Sequence, residues 1–197
     1  MRRYWSIFLI FSIVFSFGIY TYTFEHTEAK NPQIIIQKKP ILFGSKNKPV
    51  NIFDISDKRI RILYFGFTRC PDICPTSLAM LAGALNKINN KQQAKIRPIF
   101  ISLDPERDSA DHTAQYAQYF NPMIEGLAAP LDVITPLANK YGVIFRKVKL
   151  ENSALKYTVD HNSYFYFVKP DGTLITKVPH TLTPRPIIEA IEKLTAT

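Results

Sequence analysis

A chain of 197 residues, 46% hydrophobic and 13% aromatic, has room for one ordinary domain and an appendage, and too much apolar material for wholesale disorder. Its formal charge is +9, of which the first thirty residues carry +1 (Arg2, Arg3 and Lys30 against Glu25 and Glu28), so the remainder is basic in its own right at +8. No basic run interleaved with aromatics accompanies that surplus, which argues against nucleic acid as a partner and for a solvated face near lipid headgroups.

Met1-Arg2-Arg3 starts the chain with positive charge, and residues 5–24 then run 20 positions without a charged side chain. As a helix that run is ~30 Å long, the thickness of a bilayer's hydrocarbon core. A cleaved leader has a shorter apolar stretch followed by a small-residue site, whereas this one ends Tyr20-Thr21-Tyr22-Thr23-Phe24. Tyr4, Trp5, Tyr20 and Tyr22 fall near the two membrane interfaces, and Arg2 and Arg3 stay in the cytoplasm by the positive-inside rule. The expectation is an uncleaved membrane anchor over residues 1–24 with everything after it exported. That side is the periplasmic face of a bacterial inner membrane, or its mitochondrial equivalent. Residues 25–47 are polar, and Pro32 and Pro40 bracket Ile34-Ile35-Ile36, so they read as a tether with room for one edge strand. The folded domain is expected over 48–197.

Within it, residues 61–67 are β-branched and aromatic and too short for a helix, which predicts a buried strand. Thr68-Arg69-Cys70-Pro71-Asp72-Ile73-Cys74-Pro75 follows, and helical spacing then takes over, with Leu78, Leu81, Ala82, Leu85 and Ile88 on one face. Residues 96–103 predict a second strand ended by Asp104-Pro105. Asp108 or Ser109 is placed to cap a helix whose inner face carries Ala114, Tyr116, Ala117 and Phe120. A helix over about 131–141 ends at Gly142 before a strand over 143–148. Strands over 163–168 and 174–178 are joined by a Pro170-Asp171-Gly172 turn, and Pro184 starts a closing helix with Ile187, Ile188, Ile191 and Leu194 inward. The order predicts an α/β fold, a mixed sheet flanked by helices.

Cys70 and Cys74 stand at a strand-to-helix junction, where free N–H groups and the helix dipole favour thiolate over thiol. Their spacing lets them close a disulfide or hold a soft metal. A structural bridge enclosing three residues would stabilise little, because the effect grows with loop length. His26, beside the expected anchor, His112 and His180 read as solvated. His161, between Asp160 and the apolar run from Ser163, enters a strand near the core, and its plainer alternative is a satisfied structural imidazole.

Phe65-Gly66-Phe67-Thr68-Arg69-Cys70-Pro71-Asp72-Ile73-Cys74-Pro75 closely resembles the signature of the Sco/SenC family, thioredoxin-fold proteins that assist copper-site assembly in cytochrome c oxidase. Three further segments agree in order. They are Asp104-Pro105-Glu106-Arg107-Asp108, Val159-Asp160-His161 and Pro170-Asp171-Gly172. The resemblance spans roughly residues 48–194. It implies a thioredoxin-like fold and a copper site made by Cys70, Cys74 and His161, with Asp72 and Asp160 either tuning the ligands or serving only as turn and strand-start residues. Thiolates suit Cu(I), and an added imidazole accommodates Cu(II).

The function so implied is a membrane-anchored assembly factor, a monomer or weak dimer, that delivers copper to the binuclear site in the copper-site subunit of cytochrome c oxidase. A thiol–disulfide oxidoreductase that reduces the oxidase cysteines through Cys70 and Cys74 is the main alternative. A peroxidase or redox sensor would need a peroxide-sensitive thiol with turnover, and zinc is the rival metal for two sulfurs and a nitrogen. The segment 104–108 reads most simply as a strand end and helix cap.

Overall fold

The computed structural model describes residues 40–196. Two short antiparallel strands, β1 (Ile41–Phe43) and β2 (Pro49–Asn51), precede β3 (Ile60–Gly66), which leads into helix α1 (Ile73–Leu85). A single-turn helix α2 (Asn90–Gln93) is followed by β4 (Ile96–Ser102), α3 (Ala110–Phe120), β5 (Glu125–Leu127) and α4 (Leu131–Lys140). Then come two hairpins, β6 (Phe145–Lys149) with β7 (Tyr157–His161) and β8 (Tyr164–Val168) with β9 (Leu174–Pro179), and the closing helix α5 (Arg185–Thr195).

The main sheet has the order β5-β4-β3-β8-β9. β3 and β4 run parallel in full register from Ile60↔Ile96 to Gly66↔Ser102, while β8 lies antiparallel on the other side of β3. Helices cover both central strands, which explains why β3 and β4 read as continuous apolar runs and not as alternating ones. Parallel β3 and β4 end at the same edge, so the loops after them, 67–72 and 103–109, are neighbours. α3 approaches β5 so closely that a Cβ on Gly126 would stand 2.0 Å from the Thr113 carbonyl oxygen, a contact only glycine permits.

At the opposite edge Arg61 is fully buried on β3. Its guanidinium donates to the carbonyls of Ile52 (2.9 Å), Asp54 (2.7 Å), Asp57 (2.8 Å) and Arg59, so one side chain organises the loop that leads into the sheet.

Several expectations are corrected. The tether does not extend to residue 47: Leu42 is buried, β1 pairs with β2, and the Phe43 and Ala128 backbones exchange hydrogen bonds of 2.8 and 2.9 Å, so the fold takes up the chain by Ile41. The strand expected over 143–148 is shifted to Phe145–Lys149 and pairs outside the main sheet with β7, which the sequence reading lacked. Of the two residues placed to cap α3, Ser109 is the one that does so, accepting from the His112 N–H at 3.2 Å. The expected anchor over 1–24, and His26, lie outside the described residues; among the described residues no helix is long and apolar enough to cross a membrane.

Candidate metal centre

The cysteine loop is shaped by the end of β3. Gly66 accepts at its carbonyl from the Leu103 N–H (2.7 Å), and Cys70 N–H donates back to Phe67 O (3.3 Å), turning the chain toward α1. That helix begins at Ile73, so Pro75 occupies its third position. Its missing N–H costs nothing there, since the first four N–H groups of a helix have no partner within it. One of those orphans is used: Cys74 N–H donates to Cys70 Sγ at 3.4 Å. Cys74 is fully buried and Cys70 partly exposed, and both are free thiols. A Cβ at Gly66 would stand 2.8 Å from Cys74 Sγ, so the glycine in the Phe65-Gly66-Phe67 motif makes room for the buried sulfur.

His161 closes β7, opposite Phe145. Its Nε2 lies 3.5 Å from Cys74 Sγ, and its Nδ1 lies 3.2 Å from the Asn162 carbonyl. A carbonyl only accepts, so Nδ1 carries the proton and Nε2 presents a bare lone pair to the sulfur. Phe67 packs edge-on against the ring, with centroids 6.1 Å apart. Among the described residues no three His, Cys, Asp or Glu side chains form a closed metal cluster. The contacts instead run in series, Cys70 to Cys74 and Cys74 to His161.

The two thiols are made unequal. The Cys74 S–H donating to it, aided by the Asp72 and Cys74 N–H groups, draws the Cys70 thiol down to about 5, although burial pushes the other way. Cys74 is held well above the usual thiol range, first because its proton is the one donated to Cys70 and then by burial. Burial also lowers His161, favouring the neutral ring. The Tyr64 phenol is buried beside Cys74 with no partner at hydrogen-bond geometry, and burial raises it strongly.

Three sequence-predicted residues, Cys70, Cys74 and His161, are therefore brought together. The carboxylates of Asp72 and Asp160 are not: Asp72 is exposed and touches Cys70 through its N–H alone, while Asp160 is exposed and pairs with Arg146 at 3.5 Å. His112 is exposed as expected. His180 is not simply solvated, because its Nδ1 meets the buried Ser77 hydroxyl at 2.7 Å, one turn after Cys74. Neither Tyr64 nor Ser77 carried a signal in the sequence, since Tyr64 falls in an apolar run typical of core and Ser77 belongs to no motif.

Two soft sulfurs and a neutral imidazole are a donor set suited to copper, and to zinc. Comparison with known proteins points the same way. The mitochondrial protein SCO2 of Saccharomyces cerevisiae is 37% identical over 136 residues, 64% of this chain but only 45% of its own length, so this chain spans under half of that relative. The Sco1 protein of Schizosaccharomyces pombe is 32% identical over 199 residues, 93% of this chain and 74% of its own. The crystal structure of Arabidopsis thaliana ScoI with copper bound superposes with a TM-score of 0.71 at 31% identity, covering 80% of this chain and 96% of that one. Its likeness establishes the thioredoxin-like mixed α/β fold expected from the sequence. A family model described as SCO1/SenC matches residues 42–196, from the first strand of the fold through its last helix, and on that evidence the chain belongs to the SCO1/SenC family.

Proposed function

We propose that this protein is a membrane-anchored copper carrier that serves cytochrome c oxidase assembly by passing copper to the binuclear site of the oxidase's copper-site subunit. The observation that carries the reading is the 3.5 Å contact between Cys74 Sγ and His161 Nε2, which joins donors 87 positions apart. Support also comes from the relatives, whose solved members include an Arabidopsis protein with copper bound. Residues 5–24 are long and apolar enough for the anchor, with Arg2 and Arg3 on the cytoplasmic side and the domain on the exported side.

Copper is cargo in this reading. Metal ligands must be deprotonated, so Cys70 is ready near neutral pH and Cys74 surrenders its proton as the ion is taken. His161 is held neutral and aimed by the Asn162 carbonyl, as metal-ligating histidines are held by a partner on their other nitrogen. Three protein donors leave a coordination position for a ligand of the receiving protein, which is what transfer without release requires.

One observation favours a second activity at the same residues. A partly exposed, acidified Cys70 beside a buried, protonated Cys74 matches the attacking and resolving thiols of a disulfide reductase. The Cys70 thiolate would attack a partner disulfide and expel one partner thiolate. Cys74, losing its proton, would then displace the second, leaving Cys70–Cys74 oxidised and the partner reduced by two electrons.

His161 separates the two. Metal content of the reduced full chain is expected to fall sharply in His161→Ala, Cys70→Ser and Cys74→Ser, while His161→Ala keeps its rate of disulfide reduction. Full copper retention by His161→Ala would sink the three-donor reading, and equal loss of both activities would tie the imidazole to thiol chemistry.

A further inference from the structure

The segment 104–108 does more than end β4 and precede α3. Asp104 is fully buried and Asp108 nearly so, at 0% and 1% exposed. Buried carboxylates of this kind require partners, and theirs lie on two different elements. Asp108 accepts from the Thr68 N–H (2.9 Å), the Thr68 hydroxyl (2.5 Å) and the Ser102 hydroxyl (2.6 Å), which pins the chain two residues before Cys70. Asp104 accepts from the Tyr157 phenol at 2.7 Å and from Arg107 Nε. Arg107 in turn donates from Nη1 to the carbonyls of Leu155 (3.1 Å) and Tyr157 (3.0 Å), and its guanidinium stacks 3.6 Å over the Tyr157 ring. Lys147 on β6 adds an ion pair to Glu106. Tyr157 is the first residue of β7, and His161 is the last.

Resting on the copper reading above, we propose that residues 104–108 are a two-armed bracket that sets the separation between the sulfurs and His161. The Asp108 arm fixes the cysteine loop. The Asp104–Arg107 arm fixes the hairpin that delivers the imidazole. The need for such a bracket follows from topology: β6 and β7 form their own two-stranded sheet and share no ladder with the main sheet that ends in the cysteine loop. Side chains must therefore supply the registration that a ladder would otherwise give. Within the arm, Arg107 is used as a fork, two carbonyls and a carboxylate from one planar group, a task a lysine cannot perform. These are positioning residues. None of them touches the sulfurs or the ring.

The test uses the reduced full chain and three variants. Tyr157→Phe removes the phenol bond and keeps the stacked ring. Asp104→Asn/Arg107→Gln removes the arm while keeping the buried charge balanced. Arg107→Lys keeps charge and loses the fork. Thermal unfolding first identifies the variants that fold. Two readouts then follow, Cu(II) affinity with the nitrogen hyperfine signal of a bound imidazole, and the metal-free ring resonances of His161, displaced in the parent by Phe67.

Removal of partners behind metal ligands typically weakens binding roughly 10- to 100-fold, and that loss is expected for the double variant. A smaller loss is expected for Tyr157→Phe, and Arg107→Lys, which keeps the charge without the fork, should fall nearly as far as the double variant. Imidazole hyperfine should fade, the His161 resonances should move toward those of an unstructured histidine, and alkylation of Cys70 should keep its parent rate. A folded double variant with copper affinity within twofold of parent and unmoved His161 resonances would overturn the bracket. So would a parallel loss of Cys70 reactivity, which would mark general loosening. If the parent itself takes up no copper, the carrier reading fails, and the metal-free resonances alone then decide the bracket.

Discussion

The chemistry of the centre rests on one proton. Cys74 has a single S–H with two acceptors in reach, the Cys70 sulfur and His161 Nε2, and its donation to Cys70 holds that sulfur as thiolate down to about pH 5 instead of the ordinary 9.0. Thiolate fraction at pH 6 therefore rises by about three orders of magnitude, while intrinsic nucleophilicity falls with pKa at a Brønsted slope near 0.4–0.5, leaving a net gain of roughly tenfold. Because the folded value is depressed, alkylation of Cys70 by iodoacetamide should climb through about pH 5 and be flat by pH 7. In Cys74→Ala the donor is gone, and the profile should move upward toward the ordinary thiol range with about tenfold slower labelling at pH 6. Mass spectrometry of the labelled peptide checks both, and preferential labelling of Cys74 in the parent would reverse the assigned roles.

At the scale of elements, Arg61 shows how one buried cation can stand in for a missing ladder. Its guanidinium serves carbonyls from Ile52 to Arg59, a stretch between β2 and β3 with no sheet partner of its own. Arg61→Met should leave those acceptors unserved and destabilise the fold by about 3–5 kcal/mol, the range found when one partner of a buried charged network is removed. Arg61→Lys keeps the charge but cannot span four carbonyls, and should recover less than half of that loss in urea unfolding. Such a role was invisible in the sequence, where Arg61 looked like the polar first residue of a strand. What was legible follows a clear physical pattern. β3, β4 and α1 were readable because their burial is continuous or helically periodic, and the β8–β9 hairpin because Pro170-Asp171-Gly172 admits little but a turn. Of the β6–β7 hairpin only β6 was nominated, and out of register, since Arg146, Lys147, Lys149 and Asp160 interrupt the apolar residues and its support is side-chain bonding from a distant loop. His161 could be nominated from its motif, yet the strand that carries it could not. Which of Asp108 and Ser109 caps α3 was not legible for the same reason, as local spacing allows either whereas a residue 40 positions away claims the Asp108 carboxylate.

Across the whole described domain the centre is a junction between two sheets of unequal stability. Continuous ladders on both sides of β3 place its amides, with those of β4 and β8, among the last to exchange. The β6–β7 sheet has one ladder and a polar outer face, so its amides should exchange through local opening that swings His161 away from Cys74. An ion held by all three donors would oppose that opening directly. Copper at 100 times its dissociation constant should stabilise the native state by about 2.7 kcal/mol. For a chain of this size, at about 2–4 °C per kcal/mol, Tm should rise by roughly 5–11 °C. Exchange measured with and without copper divides the contributions further. Amides of β3 and β4 report the whole binding energy, while those of β7 report only the share lost when the imidazole departs. His161→Ala should therefore keep part of the rise in Tm, from the two sulfurs, and lose all of the copper-induced protection in β7. If copper raises Tm in the parent yet leaves β7 exchange unchanged, the ion is held by the cysteines alone and the imidazole is a bystander.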